Sequence, residues 1–315
     1  MAGGGGTDVI DGGAGIDTNS FQGIGLGVTA TVAADGTGTA VYGGVNETFT
    51  GIENLTGSDN DDVLIATGAA ANVLSGGAGN DILAGGGGTD VIDGGAGIDT
   101  NSFQGIGLGV TASIAAGTAS YGMVNETFTN IENLTGTLLD DDFSGDAGNN
   151  VLTGLAGDDI LFGGGGNDNL QGATGNDTLT GGSGNDIIDG GNDDDIVNGG
   201  AGDDTLRGSG GDDIIDGSSG DDAISAGIGN DTANGGSGDD TILGQGGEDT
   251  LSGASGIDTL FGGSGNDTLF GGLDDDTLFG QGNNDIWTAR VIPSSLRLVM
   301  TKTALIALIR RAQTA

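Results

Sequence analysis

The chain has 315 residues, 46 Asp+Glu against 6 Lys+Arg for a formal charge of −40, 73 Gly, one Pro, no His and no Cys. The absence of His and Cys excludes a Ser-His-Asp triad, a His-based metalloprotease site, thiolate catalysis, disulfides and thiolate zinc sites, and leaves only carboxylate catalysis as a formal option. So acidic a chain has no basic surface to neutralise nucleic-acid phosphates, is repelled by anionic membranes and favours cations.

The opening Met1-Ala2-Gly3-Gly4 shows neither a positive n-region nor an apolar h-region, so no signal peptide is read there. Ala2 to Ala30 recurs without change as Ala84 to Ala112, and Val45-Asn-Glu-Thr-Phe-Thr50 recurs as Val124-Asn-Glu-Thr-Phe-Thr129. One long module is therefore present twice, starting at Ala2 and again at Ala84. Each copy holds glycine-rich nonapeptides, then a spacer, then Ile52-Glu-Asn-Leu-Thr-Gly57 or Ile131-Glu-Asn-Leu-Thr-Gly136. In the spacer Ile24, Leu26, Val28, Ala30 and Val32 alternate with Gly or Thr, a strand signal. The expected structure there is longer β rungs continuing a solenoid. Residues 1–57 form the first copy, and 58–135 hold further nonapeptides with the second spacer.

Residues 136–288 divide into nine-residue units without insertion or deletion, as in Gly181-Gly-Ser-Gly-Asn-Asp-Ile-Ile-Asp189. Position 1 is Gly, with Ala226 an exception; position 4 is mostly Gly, with Asp193, Asp274 and Asn283 among the exceptions. Position 6 is Asp, with Asn150 an exception, and position 8 is mostly Leu, Ile or Val. Gly at 1 and 4 is expected to supply positive φ for tight turns. Asp at 6 offers the hard carboxylate oxygen that calcium prefers. Positions 7 to 9 read as a short strand with 8 inward and 7 and 9 outward. Two units then make one turn of a flattened helix with strands on opposite sides, and stacked turns pair in parallel. Stacking also lines up Asp side chains, a column of like charge that is unfavourable without a cation and a cross-link with one. Roughly one divalent ion per unit would cancel the chain's charge.

Leu243, Phe261 and Phe279 recur at position 9 of every second unit and should stack on an outer face, while Thr241, Thr250, Thr259, Thr268 and Thr277 make a regular series at position 7. The segment 289–315 contains no Gly and no acid but holds five of the six basic residues and the only Pro. It reads as a helical cap over Trp287, a secretion signal, or a tail unrelated to the fold. Its apolar stretch is too short and too interrupted, by Arg297 and Lys302, to span a membrane.

The Gly-Gly-x-Gly-x-Asp pattern resembles the RTX, or hemolysin-type calcium-binding, repeats of secreted bacterial proteins, closely over Gly3 to Asn19, Gly76 to Asn101 and Gly136 to Thr288. This pairing of repeat and ion is a general one for nonapeptide β-helices. The resemblance implies an all-β, right-handed parallel β-roll, a β-solenoid of stacked nonapeptides. It implies multiple calcium ions held between turns by backbone carbonyls and position-6 carboxylates. The implied metal ligands are Asp8, Asp81, Asp90, Asp99, Asp159, Asp168, Asp177, Asp186, Asp195, Asp204, Asp213, Asp222, Asp231, Asp240, Asp249, Asp258, Asp267 and Asp276. Asn150 and the loops at Asp193 and Asp274 depart from the pattern. The expected function is calcium binding by a secreted or cell-surface bacterial protein that folds on binding the ion, with a structural or surface-interaction role and no catalysis. The partners expected are calcium ions, with no nucleic acid and no membrane span; type I secretion is the implied route. The alternatives are a non-catalytic module of a secreted protease, lipase or alginate epimerase, and an adhesin or ice-binding solenoid.

Overall fold

The computed structural model describes residues 7–288; the cap, signal and tail readings of 289–315 lie outside the described residues. The chain divides into two compact units, Met1–Gly172 and Ala173–Ala315. Among the described residues there are strands and turns and no helix. The all-β solenoid expected from the repeat is what each unit forms.

The second unit is the more regular. Thr178–Ser183, Ile196–Ala201, Ile214–Ser219, Thr232–Ser237, Thr250–Ser255, Thr268–Leu273 and Ile286–Thr288 stack in parallel as one sheet. Ile187–Asn192, Thr205–Gly210, Ala223–Ile228, Thr241–Gly246, Thr259–Ser264 and Thr277–Phe279 stack as the other. The register advances by two nonapeptides per turn throughout, as in Ile196↔Ile214 and Ile187↔Thr205. Most strands are six residues long rather than three, because pairing continues through positions 1 to 3 of the following unit, as in Gly200↔Ser218. Position 8 points inward: Leu179, Ile188, Val197, Leu206, Ile215, Ile224, Ile242, Leu251, Leu260 and Leu269 are at most 1 % exposed. Two facing ladders of aliphatic side chains form the core, and each buried Leu or Ile contributes about 1.5–3 kcal/mol. On the outer face Phe261 and Phe279 stack with ring centroids 4.8 Å apart and planes 6° from parallel.

The first unit carries the same parallel ladders, for example Val91↔Val73 and Val151↔Asn133, interrupted twice by the spacers. Here the sequence expectation is corrected. Each spacer is not a longer rung but a three-stranded antiparallel meander. In the first copy Thr29–Ala33 pairs antiparallel with Gly38–Tyr42, which pairs antiparallel with Val45–Thr50. In the second, Thr111–Ser113, Thr118–Tyr121 and Val124–Thr129 repeat the arrangement. An odd number of strands restores the direction of travel. Val45–Thr50 thus runs parallel to Val9–Asp11, and Thr29–Ala33 runs parallel to Val63–Thr67. Ile24 and Leu26 lie in the turns before the first strand, and Leu26 is exposed. The two meanders lie in different sheets of the unit, one in the sheet of Val9–Asp11 and one in the sheet of Val91–Ala96.

Candidate metal centre

The site is built from the turn between successive strands, positions 1 to 6 of each unit. Positive φ falls at positions 2 and 4, as at Gly182 and Gly184 or Gly236 and Gly238. Leu155, Ala173, Ser209, Ser218, Gln245 and Ala254 adopt φ of 72° to 89° at position 2 without being glycine. Asp193 and Asp274 do the same at position 4, with φ of 75° and 74°, so the loss of Gly there leaves the turn in place; Asp tolerates this region better than most residues. Position 1, expected to need positive φ, does not adopt it. Its glycine is needed for space. A Cβ on Gly208, Gly217 or Gly235 would overlap the Oδ2 of the Asp five residues later, Asp213, Asp222 or Asp240.

Position 6 closes the turn. Asp81, Asp90, Asp99, Asp159, Asp168, Asp177, Asp186, Asp195, Asp204, Asp213, Asp222, Asp231, Asp240, Asp249, Asp258 and Asp267 are at most 2 % exposed. Asp8 and Asp276 are half-buried. Most of these carboxylates reach back one turn. In one row Oδ1 of Asp195, Asp213, Asp231, Asp249 and Asp267 accepts the backbone N–H of Asp177, Asp195, Asp213, Asp231 and Asp249 at 2.8–3.1 Å. In the opposite row Asp204, Asp222, Asp240, Asp258 and Asp276 accept from Asp186, Asp204, Asp222, Asp240 and Asp258 at 2.8–3.1 Å. In the first unit Asp81, Asp90, Asp99, Asp159 and Asp168 accept from Asp62, Asn72, Asp81, Asp141 and Asn150 at 2.7–2.8 Å.

The other oxygen is left over. Oδ2 of Asp8, Asp81, Asp90 and Asp99, and of Asp195 through Asp276 at every ninth residue, is buried with no hydrogen-bond partner. A buried, unpaired carboxylate oxygen is costly, and burial raises the proton affinity of the group. Desolvation, opposed in part by the backbone N–H donated to Oδ1, pushes Asp81 and Asp195 up to about 7. It pushes Asp90, Asp204, Asp222, Asp231, Asp240, Asp249 and Asp258 up to about 6, and raises Asp99, Asp213, Asp267 and Asp276. Neighbouring carboxylates in the row add to the rise, as Asp177 and Asp213 do for Asp195.

Three turns differ. In those starting at Gly57, Gly136 and Gly145, position 2 is Ser58, Thr137 or Asp146, and its N–H turns inward to the position-6 side chain. Ser58 N–H donates to Asp62 Oδ2 at 2.5 Å, Thr137 N–H to Asp141 Oδ2 at 2.7 Å, and Asp146 N–H to Asn150 Oδ1 at 2.9 Å. The second oxygen of Asp62 and Asp141 accepts Val28 N–H and Val110 N–H at 2.7 Å. Asn150 Nδ2 donates to Glu132 O at 2.8 Å. These side chains are satisfied by the protein, whereas Asp8, Asp81, Asp90, Asp99 and the row from Asp195 through Asp276 keep an oxygen for something else.

A second ladder escaped the sequence reading. Position-5 side chains reach forward one turn. Asn185, Asp194, Asp203, Asp212, Asp221 and Asn230 each accept, through Oδ1, the N–H of the residue at the same place one turn later at 2.7–3.1 Å. The recurrence of Asn or Asp every ninth residue at position 5 was the available signal. The ligand set implied by the resemblance left out Asp17 and Asp285, both at position 6, and sequence reasoning missed Glu53 and Glu132, whose Oε2 accept the N–H of Asp17 and Asp99 at 2.8 Å in place of the next Asp.

Among the described residues no three acidic side chains converge on one point. A cation in these turns would be held by one or two carboxylates, with neutral oxygens to complete its shell. All-oxygen donors and flexible geometry suit calcium better than zinc or copper. The unpaired Oδ2 row supplies the anionic half of such a site, so the residues present fit the ion. Among the described residues no helix is long and apolar enough to cross a membrane.

No curated protein matches the chain. The family model for the RTX calcium-binding nonapeptide repeat matches residues 1–18, 66–100, 135–170, 163–197, 171–206, 189–224, 198–233, 225–260 and 252–286, which together take in well over half of the chain. Repeat, turn geometry and family match agree: the chain belongs to the RTX calcium-binding nonapeptide repeat family, and its β-roll is a calcium-binding module.

Proposed function

We propose that this chain is a non-catalytic module of a secreted bacterial protein that stays unfolded in a low-calcium cytosol and folds outside the cell when calcium binds, to present a structural or interaction surface. The observation that carries the reading is the row of buried Oδ2 atoms without a partner. Position-6 carboxylates stand one turn apart in each row, and residues 1–206 contain no Lys or Arg to pair with them. Charge repulsion then opposes closure of the roll until a cation is supplied. A ligand bound by the folded state alone stabilises it by mass action. Extracellular calcium modules bind with Kd of about 10⁻⁴ to 10⁻³ M, which matches a switch between the two compartments. The carboxylates are used in backbone ladders, and the absence of His and Cys supports a binding role rather than catalysis.

Far-UV circular dichroism during a calcium titration tests this. The expected result is little strand signal in chelator and a cooperative gain at millimolar calcium. An identical strand signal in both conditions overturns the folding switch.

A further inference from the structure

The duplicated module contains a buried polar cluster in which a position-6 Asp of the ladder meets side chains that the ladder does not use. In its second copy Asn101 stands at position 8, where the rest of the roll mostly carries Leu or Ile, and is 0 % exposed. Glu126, in the meander strand Val124–Thr129, also points inward and is 1 % exposed. Asn101 Nδ2 donates to Glu126 Oε1 at 2.6 Å. Glu126 Oε2 and Asn101 Oδ1 are then left buried with no partner. The strand register sets Glu126 beside Asp90: Val91 pairs with Thr127, and Thr127 N–H donates to Asp90 O at 3.1 Å. Asp90 Oδ2 is likewise buried and unpaired. Tyr121 closes the cluster. Its hydroxyl donates to Gly86 O at 2.7 Å and lies 3.4 Å from Gly88 O, both in the turn that ends at Asp90.

The first copy builds the same cluster from its own residues. Val9 pairs with Thr48, which sets Asp8 beside Glu47. Thr48 N–H donates to Asp8 O at 3.1 Å. Tyr42 hydroxyl donates to Glu47 Oε1. Glu47 Oε2, both polar atoms of Asn19, and Asp8 Oδ2 are buried without partners. Two occurrences of one constellation, each with unpaired oxygens facing a core otherwise made of aliphatic and aromatic groups, need a common explanation.

We propose that each copy of the module holds one divalent cation inside the roll, calcium by its donor set, bound by Asp90, Asn101 and Glu126 in the second copy and by Asp8, Asn19 and Glu47 in the first, with Tyr121 and Tyr42 at its edge. The donors are hard oxygens: two carboxylates and an amide carbonyl, with phenol and backbone carbonyl oxygens nearby. Two carboxylates in an apolar core with no basic residue between residues 1 and 206 require a positive partner. This site takes the Oδ2 of Asp90, and of Asp8 in the first copy, from the turn row and adds donors from a strand interior and a meander instead of from a stacked turn. It extends the calcium reading above without depending on the folding switch.

The two tyrosines of the chain are the two that edge these sites, which makes terbium a selective probe. The test uses the full chain carrying Trp287→Phe, so that excitation enters through Tyr42 and Tyr121. Glu47→Gln with Glu126→Gln, and separately Asn19→Leu with Asn101→Leu, are compared with it for tyrosine-excited terbium emission and for calcium bound per chain by equilibrium dialysis. The leucine pair restores the core residue usual at position 8, so it remains informative if the glutamine pair does not fold. The expected result is loss of most of the emission and of about two calcium ions per chain, with strand content in calcium preserved. Unchanged emission and ion count in a folded variant overturn the proposal and leave a carboxyl–amide pair sharing a proton. Strand content that ignores calcium, together with emission still lost in the variants, would remove the folding switch and leave these sites standing.

Discussion

Asp213 Oδ1 accepts the backbone N–H of Asp195 at 2.9 Å across one turn of the roll. The neighbouring pair runs the other way, with Asp194 Oδ1 accepting the N–H of Asp212 at 2.7 Å. Adjacent turns are thus tied by two side-chain ladders of opposite sense, one buried and one at the surface. Asp213→Ala leaves the buried Asp195 N–H without an acceptor, a cost of about 1–3 kcal/mol, and removes one anionic ligand. The calcium midpoint of folding, read by circular dichroism, should rise. Asp213→Asn keeps an acceptor oxygen but not the charge, so it should restore part of the stability in saturating calcium and bind fewer ions by dialysis.

The surface ladder makes a contrasting demand. Asp221 Oδ1 accepts Asp239 N–H at 2.8 Å from an exposed position. Asp221→Asn retains an acceptor and should leave the calcium midpoint nearly unchanged. Asp221→Ala should lower stability in saturating calcium by roughly 0.5–1.5 kcal/mol. Equal effects of the two variants would mean that charge rather than hydrogen bonding is the contribution of position 5.

Acid should replace calcium in part. Burial raises Asp81 and Asp195 to about 7 and Asp204, Asp222 and Asp240 to about 6 in the folded chain, while an unfolded Asp titrates near about 3.9. Because the folded values are the higher ones, the folded state binds more protons. Its stabilisation is complete below about pH 4 and is lost as pH rises through about 6 to 7. In chelator, strand signal should therefore grow as pH is lowered from about 8 to about 5, and calcium binding should weaken over the same window as protons compete. A chelated chain that gains no strand signal on acidification contradicts the assignment of these groups.

Glycine at position 1 can be tested in both directions. Gly217→Ala brings a methyl onto Asp222 Oδ2 and should weaken folding and calcium binding at that turn. Ala226 occupies the same place in the turn of Asp231 and is fully buried. Ala226→Gly should lower the calcium midpoint, against the usual destabilising cost of about 0.5–1 kcal/mol for glycine in a strand. A rise in midpoint for Ala226→Gly would show that the methyl is harmless there.

The periodic part of the molecule was legible from residues alone. Leu206 and Ile224, or Asp195 and Asp213, stand two units apart in sequence and on adjacent turns in space, because a repeat with fixed offsets leaves one register. Gly217 shows a limit: glycine answers both a demand for positive φ and a demand for space, and the letter does not say which. Gly13 and Gly182, at position 2, carry the positive φ that was sought at position 1. The meanders were hidden for another reason. Alternation in Val28, Ala30 and Val32 marks a strand but not its direction, and the turn through Asp35 and Gly36 that reverses it looks like any loop. Nothing in the sequence singles out Asn101, because its partner Glu126 is distant in sequence and is brought beside it only by the meander.

The two meanders lie in different sheets of the first unit although their sequences nearly match. Their outward side chains, Thr39, Asn46 and Thr48 in one and Thr118, Asn125 and Thr127 in the other, are exposed. The same polar face is therefore presented once from each sheet of the unit, so a substitution made at matching positions in both copies alters both sheets.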